Sequence, residues 1–127
     1  MTSPPPDPRS RLPLTPLAFH VLLALAEERR HGYGIIQEVD ARTDGLIKLR
    51  TGTLYTLLQR LLGEGLIEPA DAGGTATDPA PTKHDERRRY YGLTAFGREV
   101  VEAEAGRLEA LVFEARRKHI LGRTSRA

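Results

Sequence analysis

Between Leu66 and Thr94 the helical periodicity of this chain breaks off, and two strand-like runs face each other across a loop. Nothing else in the sequence constrains the fold as strongly. "LIEPA" (66–70) is a short apolar run cut by Pro69, a residue tolerated at a sheet edge and not at its centre. "RRRYYGLT" (87–94) alternates, with Arg89, Tyr91 and Leu93 on one side and Arg88 and Tyr90 on the other. From Asp71 to Glu86 the residues are Gly, Ala, Thr, Pro and Asp without apolar period, which predicts a long loop. The two runs predict a hairpin. The helices around it decide the fold.

Thr15-Pro16 reads as an N-cap followed by proline at the first helical position, and Leu17, Ala18, Val21, Leu22 and Leu25 recur at helical spacing. A first amphipathic helix is therefore predicted over 16–28, ended by the cluster Arg29-Arg30-His31 and Gly32. A second follows over 32–42, with Ile35, Ile36 and Val39 as a narrow stripe and Asp44-Gly45 as its stop. Residues 46–49 have room for one short strand. "TGTLYTLLQRL" (51–61) is a third helix, with Thr51 or Thr53 near its cap; Leu54, Leu57, Leu58, Leu61 and Leu62 face inward, and Gly65 stands at the C′ position. Thr94 caps a last helix reaching Lys118, about 24 residues and about 36 Å long. Its apolar positions are Phe96, Val100, Ala103, Leu108, Leu111, Val112 and Ala115, with Gly106 a weak point among them. So long a helix projects beyond a small core, and the same helix of a second copy is its simplest partner.

Three helices followed by a two-stranded hairpin describe an α+β, mostly helical winged helix-turn-helix with a long C-terminal dimerisation helix. The predicted organisation is a disordered Pro-rich arm over 1–13, a DNA-binding domain over 14–94 with its wing loop at about 71–86, the dimerisation helix over 95–118, and a flexible tail over 119–127. At 127 residues this is one domain. The longest apolar run, 21–26, is too short for a bilayer, and "MTSPPPDPRSR" has no apolar h-region, so neither a membrane span nor a secretory signal is expected. The absence of cysteine suits a cytoplasmic protein.

The third helix carries the functional signal. A merely solubilising face would be rich in Glu and Lys, whereas this one offers Thr51, Thr53, Tyr55, Thr56, Gln59 and Arg60. Such a helix fits the major groove with its N-terminal residues at base edges; Gln can read adenine, and Arg can read guanine or hold a phosphate. The plainer reading is an ordinary polar face with Tyr55 packed on the second helix. Tyr33, at the start of the second helix, either donates to a phosphate or packs between the first two helices. Lys48 is a phosphate ligand or a free surface lysine. On the wing, Lys83, Arg87, Arg88 and Arg89 are candidates for an adjacent minor groove, where narrow A·T tracts attract arginine; one of the three arginines is expected to pair with Asp85, Glu86 or a carboxylate of the last helix. Arg9 and Arg11 form either part of a floppy tail or a basic arm touching phosphates. The net charge of +2 says little, but the basic residues stand in blocks, at 29–31, 87–89 and 116–118. His20, His31, His84 and His119 are scattered, and no phosphate-cradling, nucleophile-elbow or paired-carboxylate motif occurs, so neither an enzyme nor a metal site is expected.

"LTPLAFHVLLALAEERRHGYGIIQEV", "TGTLYTLLQRLLGEGLIE" and "RRRYYGLTAFG", in that order over roughly 14–105, resemble the PadR-like family of bacterial transcriptional regulators. The resemblance implies a homodimeric repressor on a pseudo-palindromic operator, cytoplasmic and associated with the nucleoid through double-stranded DNA. Its dimer would form through the last helix with contacts from N-terminal helices, as in the subgroup with a single C-terminal helix. Tyr55 matches a tyrosine expected at the DNA backbone. Some relatives release DNA on binding a small aromatic or cationic inducer between the C-terminal helices; no other cofactor is implied. The tryptophan-stacked pocket of one branch does not carry over, because this chain has no Trp. The competing class is a winged-helix protein–protein adaptor that never touches DNA.

Overall fold

The computed structural model describes residues 6–71 and 89–122. The expected wing loop, apart from Asp71, lies outside them, as do Lys83, Arg87 and Arg88. In chain order the elements are α1 (Pro16–Glu27), β1 (Arg30–His31), α2 (Gly32–Arg42), α3 (Thr51–Gly63), β2 (Ile67–Ala70), β3 (Tyr90–Leu93) and α4 (Ala95–Arg117). A turn of 3-10 helix, Pro8–Arg11, precedes them.

Local chemistry explains most of the helix ends. The Thr15 hydroxyl accepts from the Ala18 amide (3.1 Å), with Pro16 in the first turn of α1. The His31 ring nitrogen Nδ1 accepts from the Gly34 amide at 3.0 Å and caps α2. Thr94 Oγ1 accepts from the Gly97 amide (2.8 Å) and donates to the Gly65 carbonyl (2.6 Å), joining the end of the α3 turn to the start of α4. Gly65, at φ +76°, takes the left-handed C′ position expected of it, with the Leu66 amide donating back to Leu61. Gly97 is a packing glycine: a Cβ there would fall inside contact distance of the Leu66 carbonyl.

The core gathers Val21, Leu22 and Leu25 of α1, Ile35 and Val39 of α2, and Leu54, Leu58 and Leu61 of α3 with Leu66, Tyr91 and Val100. Each fully buried leucine contributes about 2–3 kcal/mol relative to exposure, and the α3 leucines fasten that helix to its neighbours. The sheet is antiparallel in the order β1-β3-β2, with Ile67 opposite Leu93, Pro69 opposite Tyr91, and Arg30 opposite Tyr91 on the other flank. Pro69 stands on an edge strand, as its chemistry requires.

Three expectations are corrected. The short strand placed at 46–49 does not form: Leu46 is exposed, and the Leu46 and Ile47 amides bond to the Thr43 carbonyl and hydroxyl. The extra strand is instead Arg30–His31, where Arg30 is drawn inward by bonds to the Ala24 carbonyl (2.8 Å) and Glu27 (2.9 Å). The N-terminal segment, expected to be disordered over 1–13, carries the 3-10 turn and lies on α4, with the Arg11 guanidinium over the Phe96 ring at 5.6 Å. Finally, Val100 was expected at the dimer seam but is fully buried in the chain's own core. Beyond α4, residues 119–122 close on the helix end, His119 at φ +63° and the Ile120 amide bonded to the Ala115 carbonyl at 2.8 Å.

Candidate nucleic-acid interface

Because α3 buries Leu54, Leu57, Leu58 and Leu61, its remaining positions have to face outward. Thr51, Gly52, Thr53, Thr56, Gln59 and Arg60 are all exposed. Gln59 and Thr56 stand near the centre of this face. Thr53 and Arg60 lie on the flank toward the start of α1, where a groove of about 710 Å³ is lined by Thr15, Leu17, Gly52, Thr53, Thr56, Leu57 and Arg60. Tyr55 lies on the opposite flank. The Arg60 guanidinium is 3.6 Å from Glu64, one turn on, and both are partly exposed, so solvent screens the pair and the arginine keeps free donors.

Tyr55 is half-buried, and its hydroxyl sits so close over the first residue of α2 that a Cβ on Gly32 would lie 2.6 Å from it. Part of the ring is thus committed to joining α3 to α2, as the plainer reading of the sequence had it. Behind it, burial and then neighbouring Tyr55 hold the Tyr91 phenol above its ordinary pKa, with Arg89 opposing, so Tyr91 stays neutral as a core residue. Tyr33 does not pack between the first two helices: it is 64% exposed, and its ring stacks on His31 at 6.4 Å. His31 in turn meets Tyr90 edge-on at 5.3 Å. Lys48 is exposed, 3.5 Å from Asp40. Arg89 is exposed where β3 begins.

One candidate was missed by sequence reasoning. Arg50 occupies the N-cap of α3, is exposed, and makes no side-chain capping bond, while the first turn of the helix holds no acidic residue. The signal was available in the substitution of a long cation for the usual Ser, Thr or Asp. The arrangement of Arg50, the hydroxyls, Gln59 and Arg60 is a surface of donors on a rigid helix, suited to phosphate oxygens and base edges. The arginines of the N-terminal segment are placed elsewhere: Arg11 lies over Phe96, and Arg9 pairs with Asp7.

Of the residues expected on the dimerisation helix, Phe96, Ala103, Leu108 and Ala115 are half-buried, whereas Leu111 and Val112 are exposed at 53% and 39%. Phe113, not singled out from sequence, is 63% exposed. Nearer the core, Glu104 is buried, accepting from the Leu14 amide at 3.1 Å and from Arg107 at 2.6 and 3.0 Å. His20 faces Arg42, whose guanidinium meets its Nδ1 and its carbonyl at 2.9 Å each; burial first, and then that charge, lower its pKa and keep the ring neutral. Among the described residues no group of three or more His, Asp or Glu is placed to hold a metal, and no helix is long and apolar enough to cross a membrane.

The model of the transcriptional regulator PadR-like family matches residues 21–103, which take in α2, α3 and both wing strands. The chain belongs to the PadR-like family. It therefore carries the fold of a DNA-binding transcriptional regulator, and the family's members are regulators, not enzymes. Among its relatives, an uncharacterized protein of Lysinibacillus sphaericus is 32% identical over 78 residues, which cover 61% of this chain and 64% of that protein. An uncharacterized 37.1 kDa protein in transposon Tn4556 of Streptomyces fradiae is 36% identical over 101 residues, 75% of this chain but only 24% of its own length. The PadR-like chain thus spans less than two thirds of either relative. Among solved structures, a complex of hsRosR-S4 superposes with a TM-score of 0.62 at 27% identity, covering 90% of each chain. A PadR-like transcription factor from Bacteroides fragilis superposes at 0.54 with 29% identity, over 83% of this chain and 89% of that one.

Proposed function

We propose that this PadR-like chain is a homodimeric repressor that binds a pseudo-palindromic operator, with α3 of each copy in the major groove. The observation that carries the reading is the outer face of α3, where Thr51, Thr53, Thr56, Gln59 and Arg60 are exposed while the leucines behind them are buried. Arg50 and Lys48 at the entry to α3, and Tyr33 at the start of α2, grip phosphates on either side. Tyr55 adds what its half-buried ring leaves accessible. Arg89, with Lys83, Arg87 and Arg88 outside the described residues, supplies the wing's cations for the neighbouring minor groove. Repression works by competition with RNA polymerase for the promoter, in the bacterial cytoplasm.

The dimer part of the reading is supported by the distal half of α4, where Leu108, Leu111, Val112 and Ala115 form an apolar seam that the chain's own core does not cover. Two copies paired along such seams would have to hold their recognition helices about one helical turn of DNA apart to enter successive major grooves. A small aromatic or cationic inducer, held between the paired α4 helices, completes the reading; its support is the same seam together with the family likeness.

A gel-shift and footprint on the DNA upstream of the protein's own gene, repeated across salt concentrations, tests this. The expected result is protection in two patches about one helical turn apart, weakening steeply with salt. Absence of any protected site at low salt would overturn it and favour a protein–protein adaptor.

A further inference from the structure

Gly52 is the second residue of α3, and the fold gives no reason for a glycine there. A Cβ built on it meets nothing within 4 Å, and its φ is not in the left-handed region. Two other glycines at helix starts have visible causes, Gly32 under the Tyr55 hydroxyl and Gly97 against the Leu66 carbonyl, while Gly34 of α2 has only ordinary contacts about it. Glycine is also an unfavourable choice in a helix, since it loses more conformational freedom on ordering than any other residue. Here it adds to a first turn that already has no side-chain cap and no acidic residue. The helix gives up stability at this point, and nothing among the described residues gains by it.

Its surroundings say what is gained. Gly52 stands on the outward face of α3, on the same side as Thr56 and Gln59, and it forms part of the wall of the groove shared with Thr15 and Leu17. Any side chain there would stand out between Thr51 and Thr53 and hold the helix away from whatever it lies against. Thr56 and Gln59 are short and medium side chains, and they reach base edges only if the helix backbone sits deep in the groove.

We infer that Gly52 is the point of closest approach between α3 and DNA, its missing side chain setting how deeply the recognition helix enters the groove. Gly52 is then a positioning residue: it reads no base itself, and it lets Thr56 and Gln59 do so. The inference rests on the reading of α3 as the DNA-contacting helix.

The test is a size series, Gly52→Ala and Gly52→Leu, with Gly106→Ala on α4 as a control. Gly106 is likewise a helical glycine whose Cβ would meet nothing within 4 Å. Each variant is measured for thermal stability and for affinity to a duplex taken from immediately upstream of the protein's own gene. Both Ala variants are expected to raise Tm by about 3 °C. Gly106→Ala leaves DNA affinity unchanged, Gly52→Ala lowers it about tenfold, and Gly52→Leu lowers it further, with discrimination over unrelated DNA falling alongside. If the wild-type protein binds the duplex and the Gly52 variants bind as well, this inference fails while the DNA-binding reading stands. If the wild-type protein does not bind at low salt, both fail. A fall in affinity accompanied by a fall in Tm would also overturn the inference, since the loss would then come from the fold.

Discussion

Glu104 is the residue whose chemistry is most exposed to measurement. It sits on the helix expected to dimerise, yet it is buried and holds the amide of Leu14, at the entry to α1, together with the Arg107 guanidinium. The side-chain bonds from Arg107 are the largest cause of its lowered pKa, with the Leu14 amide adding to them and desolvation opposing. A carboxylate whose pKa is lower folded than unfolded stabilises the fold above its unfolded value of 4.5, and that contribution is lost as the pH falls through the lower folded value. Glu104→Gln keeps an acceptor for Leu14 but loses the charge. It is expected to cost about 2 kcal/mol at pH 7 by urea denaturation, with the gap to wild type closing as the pH falls below about 4.5. A gap that does not change with pH would mean that shape alone is at stake. Sequence reading had no access to this residue, because a glutamate in "EVVEAEAG" looks like solvated helix surface until the N-terminal segment is folded over it.

At the scale of elements, what was legible followed from period and caps. The limits of α2 and the caps of α1 and α4 match what Thr15-Pro16, Gly32, Asp44-Gly45 and Thr94 announced. The inward leucines of α3 and the edge position of Pro69 were equally readable. β1 was not, since two residues are too few to alternate, and "RRH" reads as charged surface until Arg30 is seen tied to Ala24. The strand expected at 46–49 failed for the complementary reason: its apolar content was read without the Thr43 side chain that takes up its amides. At the start of α3, Thr51 stands next to the cap as expected, but the N-cap itself is Arg50, which makes no capping bond. This yields a test of where stability was exchanged for binding. Arg50→Asp supplies the missing cap and a favourable charge at the helix start, so it is expected to raise stability by about 1 kcal/mol. DNA affinity is expected to fall, with the slope of log affinity against log salt reduced by about one. Unchanged affinity would remove Arg50 from the interface.

Over the whole molecule, the proposed function assigns two surfaces to two tasks. The recognition helix faces out from one end of the core, while α4 runs past the core and leaves Leu111, Val112 and Phe113 exposed. Val100 was expected in the dimer seam because apolar spacing does not tell a residue that packs on its own chain from one that awaits a partner. Val100 belongs to the first kind; Leu111 and Val112 remain open. Under the proposed assembly, Leu111→Glu places a charge in the seam and is expected to yield a folded monomer by analytical ultracentrifugation. Its operator affinity should fall by at least about a hundredfold, because the second half-site is no longer tethered to the first. A variant that remains dimeric would move the interface elsewhere on the molecule.

The central claim is that the outer face of α3 reads base sequence. It is tested most directly by comparing Gln59→Ala with Arg89→Ala, measuring affinities for the footprinted operator and for operators substituted one base pair at a time. Gln59→Ala is expected to lose about 1–3 kcal/mol of discrimination at one position in each half-site and to leave the others intact. Arg89→Ala should weaken binding to every sequence alike and reduce the salt slope. Equal losses on all operators for both variants would contradict the claim, leaving α3 a helix that holds phosphates and reads nothing.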